Sequence, residues 1–435
     1  MSLAARSIHP RGLFVCVALA CLAAVVSHLE ADSPNPGGPP MDLEEQARFW
    51  EAKLDAHLFD ADGIVMSALD PETMQPEGVD RVYENSNMAM GSLLEAYCYR
   101  YAYAREPEVA EKAHRLFRVM HGLVGSGGLR GWVPRPHQND TSVDQMIYVA
   151  HAFDAFHASD IASETERRLI RRDLADMAYY WRAHGYLETR PDGSVDERAG
   201  NYRQGTTDHA LMAAFQLYDW HYNETPEARA AYEAIIAAAG NRLMESFLDE
   251  AARVKKPYVS HPYVAEMYAY LLDAVRQYDE ARRDGLASAW RSWADGHANL
   301  FLVGAAKDVS GREPNGLSFE TIRYDPRTNT TAPPPDGEIT DSALGDAFHI
   351  AVVNALAFKH LREPRYLAIA EQILAAYDDR AMRWLYVDDP ERVAPRFRRG
   401  CFHYNGYGVC TWLQAYWLAR MVGGRLQRNR RPSSQ

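Results

Sequence analysis

Histidine, tyrosine, arginine and carboxylate side chains recur in this chain at one kind of place, the polar stretch just ahead of an apolar helical run. Residues 200–217 (GNYRQGTTDHALMAAFQL) set the pattern, with Asp208 and His209 at the junction. It recurs at residues 84–90 (ENSNMAM), 139–145 (NDTSVDQ), 260–263 (SHPY), 340–349 (TDSALGDAFH) and 403–407 (HYNGY). Such side chains suit two chemistries. His209 and His261, with tyrosines such as Tyr202, Tyr263 and Tyr404 nearby, can take and give protons, while arginines hold an anion. Glu84, Asp140, Asp144, Asp208, Asp341 and Asp346 offer carboxylate pairs for glycoside hydrolysis, about 5 Å apart for retention and wider for inversion. Asp144, Tyr148 and His151 fall at helical i, i+4, i+7 spacing and share a face, as do Asp346 and His349 at i, i+3. Plainer roles compete. Asp140, Thr141, Thr207 and Thr340 stand where N-caps are expected, and a histidine taken singly is commonly a satisfied hydrogen-bonding residue.

These side chains converge only if the helices behind them share an orientation. Apolar helical segments are expected at residues 85–104, 141–158, 207–221, 262–277, 341–361 and 404–422. Amphipathic ones lie between them, at 41–59, 107–122, 163–184, 225–249, 280–302 and 364–377. Ser163 with Glu166 forms a capping-box pattern, and Pro107 opens a segment that Gly122 closes. Residues 303–339 read as a long loop, and no run of alternating strand residues stands out. The economical architecture is all-α, an (α/α)6-like toroid of alternating inner and outer helices. No repeating sequence period supports a solenoid instead. In a toroid the polar stretches meet at one mouth, where helix N-termini favour anions.

The 435 residues are 47% hydrophobic and 24% charged, an ordinary globular balance. A net charge of −12 argues against a nucleic-acid surface. Arg6 and Arg11 precede an apolar run at residues 13–27, too short for a spanning helix, which reads as an export signal. The expected division is a signal peptide at 1–31, a disordered linker at 32–40, one catalytic domain at 41–424 and a frayed tail at 425–435. The product would be periplasmic or extracellular, with no stable membrane insertion after signal removal; lipid attachment at Cys21 is a minor alternative. Beyond Cys16 and Cys21 only Cys98, Cys401 and Cys410 remain, so packing rather than a disulfide framework holds the fold. Cys401 and Cys410 are candidates for a pair. No CxxC spacing, HExxH, Walker loop, GxGxxG or GxSxG is present, so no metal or cofactor is expected.

The mature chain resembles the secreted bacterial carbohydrate-active enzymes built on (α/α) toroids, namely the helical polysaccharide lyases of the alginate- and glucuronan-lyase type and the six-hairpin glycosidases. The residues carrying the likeness are the run Asn139 to Gln145, Thr207-Asp208-His209, Ser260-His261, and Asp341 with Asp346 and His349. The consecutive-Asn-then-His motif of one alginate lyase group is absent. The resemblance implies β-elimination on a uronic-acid-containing, anionic poly- or oligosaccharide. On that footing His261 is the expected base, Tyr324 the acid, Arg323 or Arg203 the carboxylate neutraliser, and His209 the reserve base. Substrate contacts are expected from Asn139, Asp144, Trp132, Tyr202, Arg203, Asp208, Tyr263, Arg312, Asp346, His349, His403 and Tyr404. Glycoside hydrolysis by paired carboxylates is the alternative, and a non-catalytic glycan-binding protein is the third reading. The oligomeric state is not legible.

Overall fold

The computed structural model describes residues 42–70, 73–76, 78, 82–195, 202–204, 207–238, 262–297, 302–308, 317–325, 330–332, 346–375 and 404–430. Among them are twelve α-helices: α1 Leu43–His57, α2 Ser86–Ala104, α3 Pro107–Leu123, α4 Val143–Ala158, α5 Glu164–Ala183, α6 Met212–Asn223, α7 Pro226–Ala238, α8 Pro262–Tyr278, α9 Leu286–His297, α10 Asp346–Leu361, α11 Pro364–Ala375 and α12 Gly406–Arg430. The all-α expectation holds. No helix among the described residues is long and apolar enough to cross a membrane.

Local chemistry sets the helix ends. Pro107, Pro226, Pro262 and Pro364 each open a helix, where the missing N–H loses nothing. Ser163 caps α5 through a complete capping box with Glu166. Arg105 and Glu224 terminate α2 and α6 in the left-handed conformation.

Burial separates the helices into two kinds. In α2, every residue from Ser86 to Tyr99 is buried. In α3, burial is confined to the stripe Val109, Ala113, Leu116, Phe117 and Met120, the one-sided pattern of a surface helix. Even-numbered helices follow the first pattern where their side chains are described. They also pack in sequence: α2 on α4, α4 on α6 and α8, α6 on α8, α8 on α10, and α10 on α12. The most extensive helix contact of all is α12 against α2. Odd-numbered helices lie against their even neighbours, for example α5 on α6, α7 on α6 and α11 on α10.

The stretch read as a loop at 303–339 is a correction. It contains a three-stranded antiparallel sheet of β2 Leu302–Asp308, β3 Leu317–Asp325 and β4 Thr330–Ala332, with Leu302 opposite Arg323 and Tyr324 opposite Thr331. Phe319, Thr321, Ile322, Tyr324 and Thr331 are strand-favouring types, masked in the sequence by Glu, Arg and Asp among them. A two-stranded pairing of β1 Ala68–Leu69 with β5 Tyr404–Asn405 ties the segment before α2 to the start of α12. Residues 207–211 form a 3-10 turn ahead of α6, and α12 extends into the stretch expected to fray. Cys98 and Cys410 are buried free thiols, whereas Cys401 lies outside the described residues.

Gly91 fixes how closely α2 and α4 approach. A Cβ there would stand 2.8 Å from the Tyr148 carbonyl oxygen, with backbone on both sides of the clash. Gly91→Ala should therefore destabilise the protein by about 1–3 kcal/mol despite its better helix propensity. Gly122→Ala in α3, where nothing lies within 4 Å, should be neutral or stabilising by up to about 1 kcal/mol. Denaturant unfolding of the two variants checks the contrast.

Candidate functional site

The N-terminal turns of the even helices bring together Tyr148 of α4, Glu266 of α8, His349 of α10 and Tyr407 of α12. His349 Nδ1 is hydrogen-bonded to Glu266 Oε2. Tyr148 Oη donates to the same Oε2 at 2.9 Å and lies 3.1 Å from His349 Nδ1. Tyr270 Oη donates to the other carboxylate oxygen. Tyr407 packs its ring 5.2 Å from the imidazole, with its hydroxyl 3.5 Å from that of Tyr148. Half-buried Tyr263 lies near the same imidazole, 6.4 Å between ring centroids. Glu266 and His349 are 0% and 1% exposed. A carboxylate only accepts, so Nδ1–H is the donor and Nε2 is left for another partner. Burial first, then the Glu266 charge, pushes the Tyr148 phenol well up, which keeps it a proton donor.

A second tier lies deeper along the same helices. Gln414 Nε2 donates to Tyr270 Oη at 2.7 Å and to Glu95 Oε2 at 3.1 Å. Glu95 also accepts from Tyr99 at 2.7 Å and pairs with His151 Nδ1 at 2.7 Å. His151 Nε2 stands 3.5 Å from Asp273, its ring stacked on Tyr270 at 3.8 Å. Asp273 is held in turn by Lys359 at 2.8 Å and His360 at 2.5 Å. Charges buried this deeply persist only when paired. Burial pushes the His151 pKa down, but Glu95 and Asp273 outweigh it and raise it to about 10. Burial pushes the Asp273 pKa up, yet Lys359, His151 and His360 hold it well below the usual carboxylate range.

Polar groups crowd the start of α4. Arg135 bonds the Glu84 carbonyl at 3.0 Å, Ser142 at 3.0 Å and Asp140 at 2.9 Å. Gln145 Nε2 donates to the same Glu84 carbonyl, and Asn87 Nδ2 to the Pro134 carbonyl. The carbonyl oxygens of these amides, Gln145 Oε1 and Asn87 Oδ1, are buried acceptors without a partner among the described residues, as is Asp140 Oδ1. Next to them, His137, Asn139, Asp140 and Arg190 line a polar cleft of about 400 Å³.

The expected site residues divide. His349 joins the buried cluster and Tyr263 flanks it. Asn139 lines the polar cleft. Asp144 accepts from Ser142 and from the Gln145 amide at 3.0 Å, which ties it to the helix start. His209 is 8% exposed, bonded through Nδ1 to the Tyr202 carbonyl at 2.6 Å and packed on Tyr186. It secures the turn before α6, and Tyr202 is buried with it. Trp132 is 2% exposed and presses on Gly127, so it packs inside and offers no open stacking face. Arg203 is exposed. Asp208, Arg323, Tyr324, Asp346 and Tyr404 are placed by backbone alone, Tyr324 and Arg323 at the end of β3. His261, Arg312 and His403 lie outside the described residues. Asp60, Asp62 and His137 come close enough to hold a cation, but both Asp60 oxygens already accept, Oδ1 from two backbone amides and Oδ2 from Tyr83.

Sequence reasoning passed over Glu95, Glu266, Asp273 and Gln414. The signal was there: each is a polar residue inside an almost unbroken apolar run, as in SLLEAYCY and VAEMYAYLLDAV. No family model matches the chain, and no curated protein is similar to it.

A histidine whose pKa is raised on folding stabilises fully below its unfolded value of about 6.5 and ceases to as pH climbs through its folded value. His151 should therefore contribute stability that is lost as pH rises through about 10. Wild type should lose stability between pH 7 and 10 with a slope that exceeds that of His151→Gln by at most about 1.4 kcal/mol per pH unit. Denaturant midpoints for both proteins across that range check it.

Proposed function

We propose that the chain is a carbohydrate lyase on an (α/α)6 toroid, with His349 as the base of a β-elimination on a uronic-acid-containing glycan. The packing order of the even helices, with α12 returning to α2, supports the toroid. The carrying observation for the chemistry is the Glu266–His349–Tyr148 cluster at the N-terminal turns of three even helices. Glu266 orients the imidazole and stabilises the imidazolium that forms, leaving Nε2 to take the proton alpha to the uronate carboxylate. The electron pair left on carbon forms the new double bond as the bond to the leaving glycosidic oxygen breaks. In this reading Tyr263, its ring centroid 6.4 Å from that of the imidazole, protonates that oxygen. Helix N-termini around the cluster favour the substrate's negative charge.

Two further observations support a sugar. The buried orphans on Asn87, Gln145 and Asp140 are all acceptors, which suit the hydroxyl donors of a polyhydroxylated ligand or water. Carboxylates near the start of α4 and α8 are already engaged, Asp140 by Arg135, Asp144 by Ser142 and Glu266 by His349, which favours elimination over paired-carboxylate hydrolysis. The basic and apolar pattern at the N-terminus supports export.

Incubation with alginate and glucuronan should produce the ultraviolet absorbance of a conjugated double bond. His349→Ala should lower that rate by about 100-fold or more. Tyr263→Phe should lower it as well, with folding unchanged. New reducing ends without the absorbance would mean hydrolysis instead, and His349→Ala at wild-type rate would remove the assigned base.

A further inference from the structure

A second cleft lies on the odd-helix side, between the end of α1, the loop at 59–63 and the outer face of α3, with α2 as its floor. Its volume is about 540 Å³, within the range of small-molecule sites. Phe59, Leu116 and Val119 give it apolar walls. Tyr97 lines it from α2; it is 3% exposed and makes no hydrogen bond to any described residue. With no acceptor among the described residues, its hydroxyl is a donor that a ligand in the cleft can engage. Arg115 and Arg118, one turn apart on α3, border the same cleft and make no ion pair with any described residue. Lys112 is already paired with Asp55 at 2.6 Å, which neutralises one of the two acidic residues of the lining; Asp62 is the other.

The geometry points to a ligand-binding site here for a small oxyanion, carboxylate or phosphate, carried on an apolar ring. Two guanidinium groups supply charge and forked donors for the oxyanion. Tyr97 adds a neutral donor from the floor, and burial, with the nearby Asp55 charge, keeps that phenol protonated by raising its pKa. Phe59 and Leu116 cover the ring. None of these residues belongs to the His349 cluster, so the site is independent of the proposed lyase reaction.

Titration calorimetry of the full chain with benzoate, phenyl phosphate, inorganic phosphate and benzyl alcohol tests it. At least one of the two aryl oxyanions should bind tenfold or more tightly than either inorganic phosphate or benzyl alcohol. Arg115→Gln with Arg118→Gln should weaken that binding tenfold or more. Tyr97→Phe should weaken it by about 2- to 13-fold, the loss of one hydrogen bond, without lowering the melting temperature of the free protein. Binding should survive His349→Ala. Aryl oxyanions binding no better than inorganic phosphate, or binding untouched by the double arginine substitution, would overturn the site; the preference of benzoate over phenyl phosphate, or the reverse, identifies the oxyanion.

Discussion

Ionised groups cannot stay inside an apolar helical core unless their partners are brought in with them. That constraint governs this protein. Glu95, Glu266 and Asp273 sit on helices whose neighbouring residues are buried and apolar, and each finds partners on a different helix. Glu266 on α8 meets His349 on α10 and Tyr148 on α4. Glu95 on α2 meets His151 on α4 and Gln414 on α12. Asp273 on α8 meets Lys359 and His360 on α10. Breaking any one contact strands a buried charge, typically a loss of about 3–5 kcal/mol. Each pair therefore constrains the registry of two helices as well as supplying electrostatic attraction.

The two tiers differ in how their histidines are held. His151 stands between two carboxylates with Tyr270 stacked on its ring, an arrangement that favours a fixed cation. His349 has one carboxylate, on one nitrogen, with phenols around it. The first arrangement suits a structural charge; the second leaves one ring nitrogen of His349 without a carboxylate among the described residues. Tyr270 and Gln414 connect the tiers, so the position of Glu266 depends on the order of the deeper ion array.

Much of the helical organisation was legible in the chain because the two burial patterns have different periodicity. Nearly unbroken apolar runs such as that of α4 contrast with the stripe on α3, and Pro107, Pro226 and Ser163 punctuate the helix starts. The sheet at 302–332 was not legible, because Glu320, Arg323 and Asp325 interrupt its strand-forming residues. The site was legible only in part. Polar stretches ahead of helices drew attention to His349 and Tyr263 and equally to His209 and Trp132, which are buried, His209 bonded back to the Tyr202 carbonyl. Sequence position alone does not separate a side chain facing a shared interior from one folded back on its own loop. Glu266 was the better signal, since an acid one turn into an apolar helix requires a partner from elsewhere.

Nitrogen-15 spectra of histidine-labelled protein, with the His151 and His349 signals assigned by substitution, test the central claim most directly. At pH 8, above the ordinary imidazole range, His151 should carry protons on both ring nitrogens, and Nδ1 of His349 should carry a proton hydrogen-bonded to Glu266. A neutral His151 at that pH, or a His349 protonated on Nε2 alone, would contradict the claim that paired buried charges order this core.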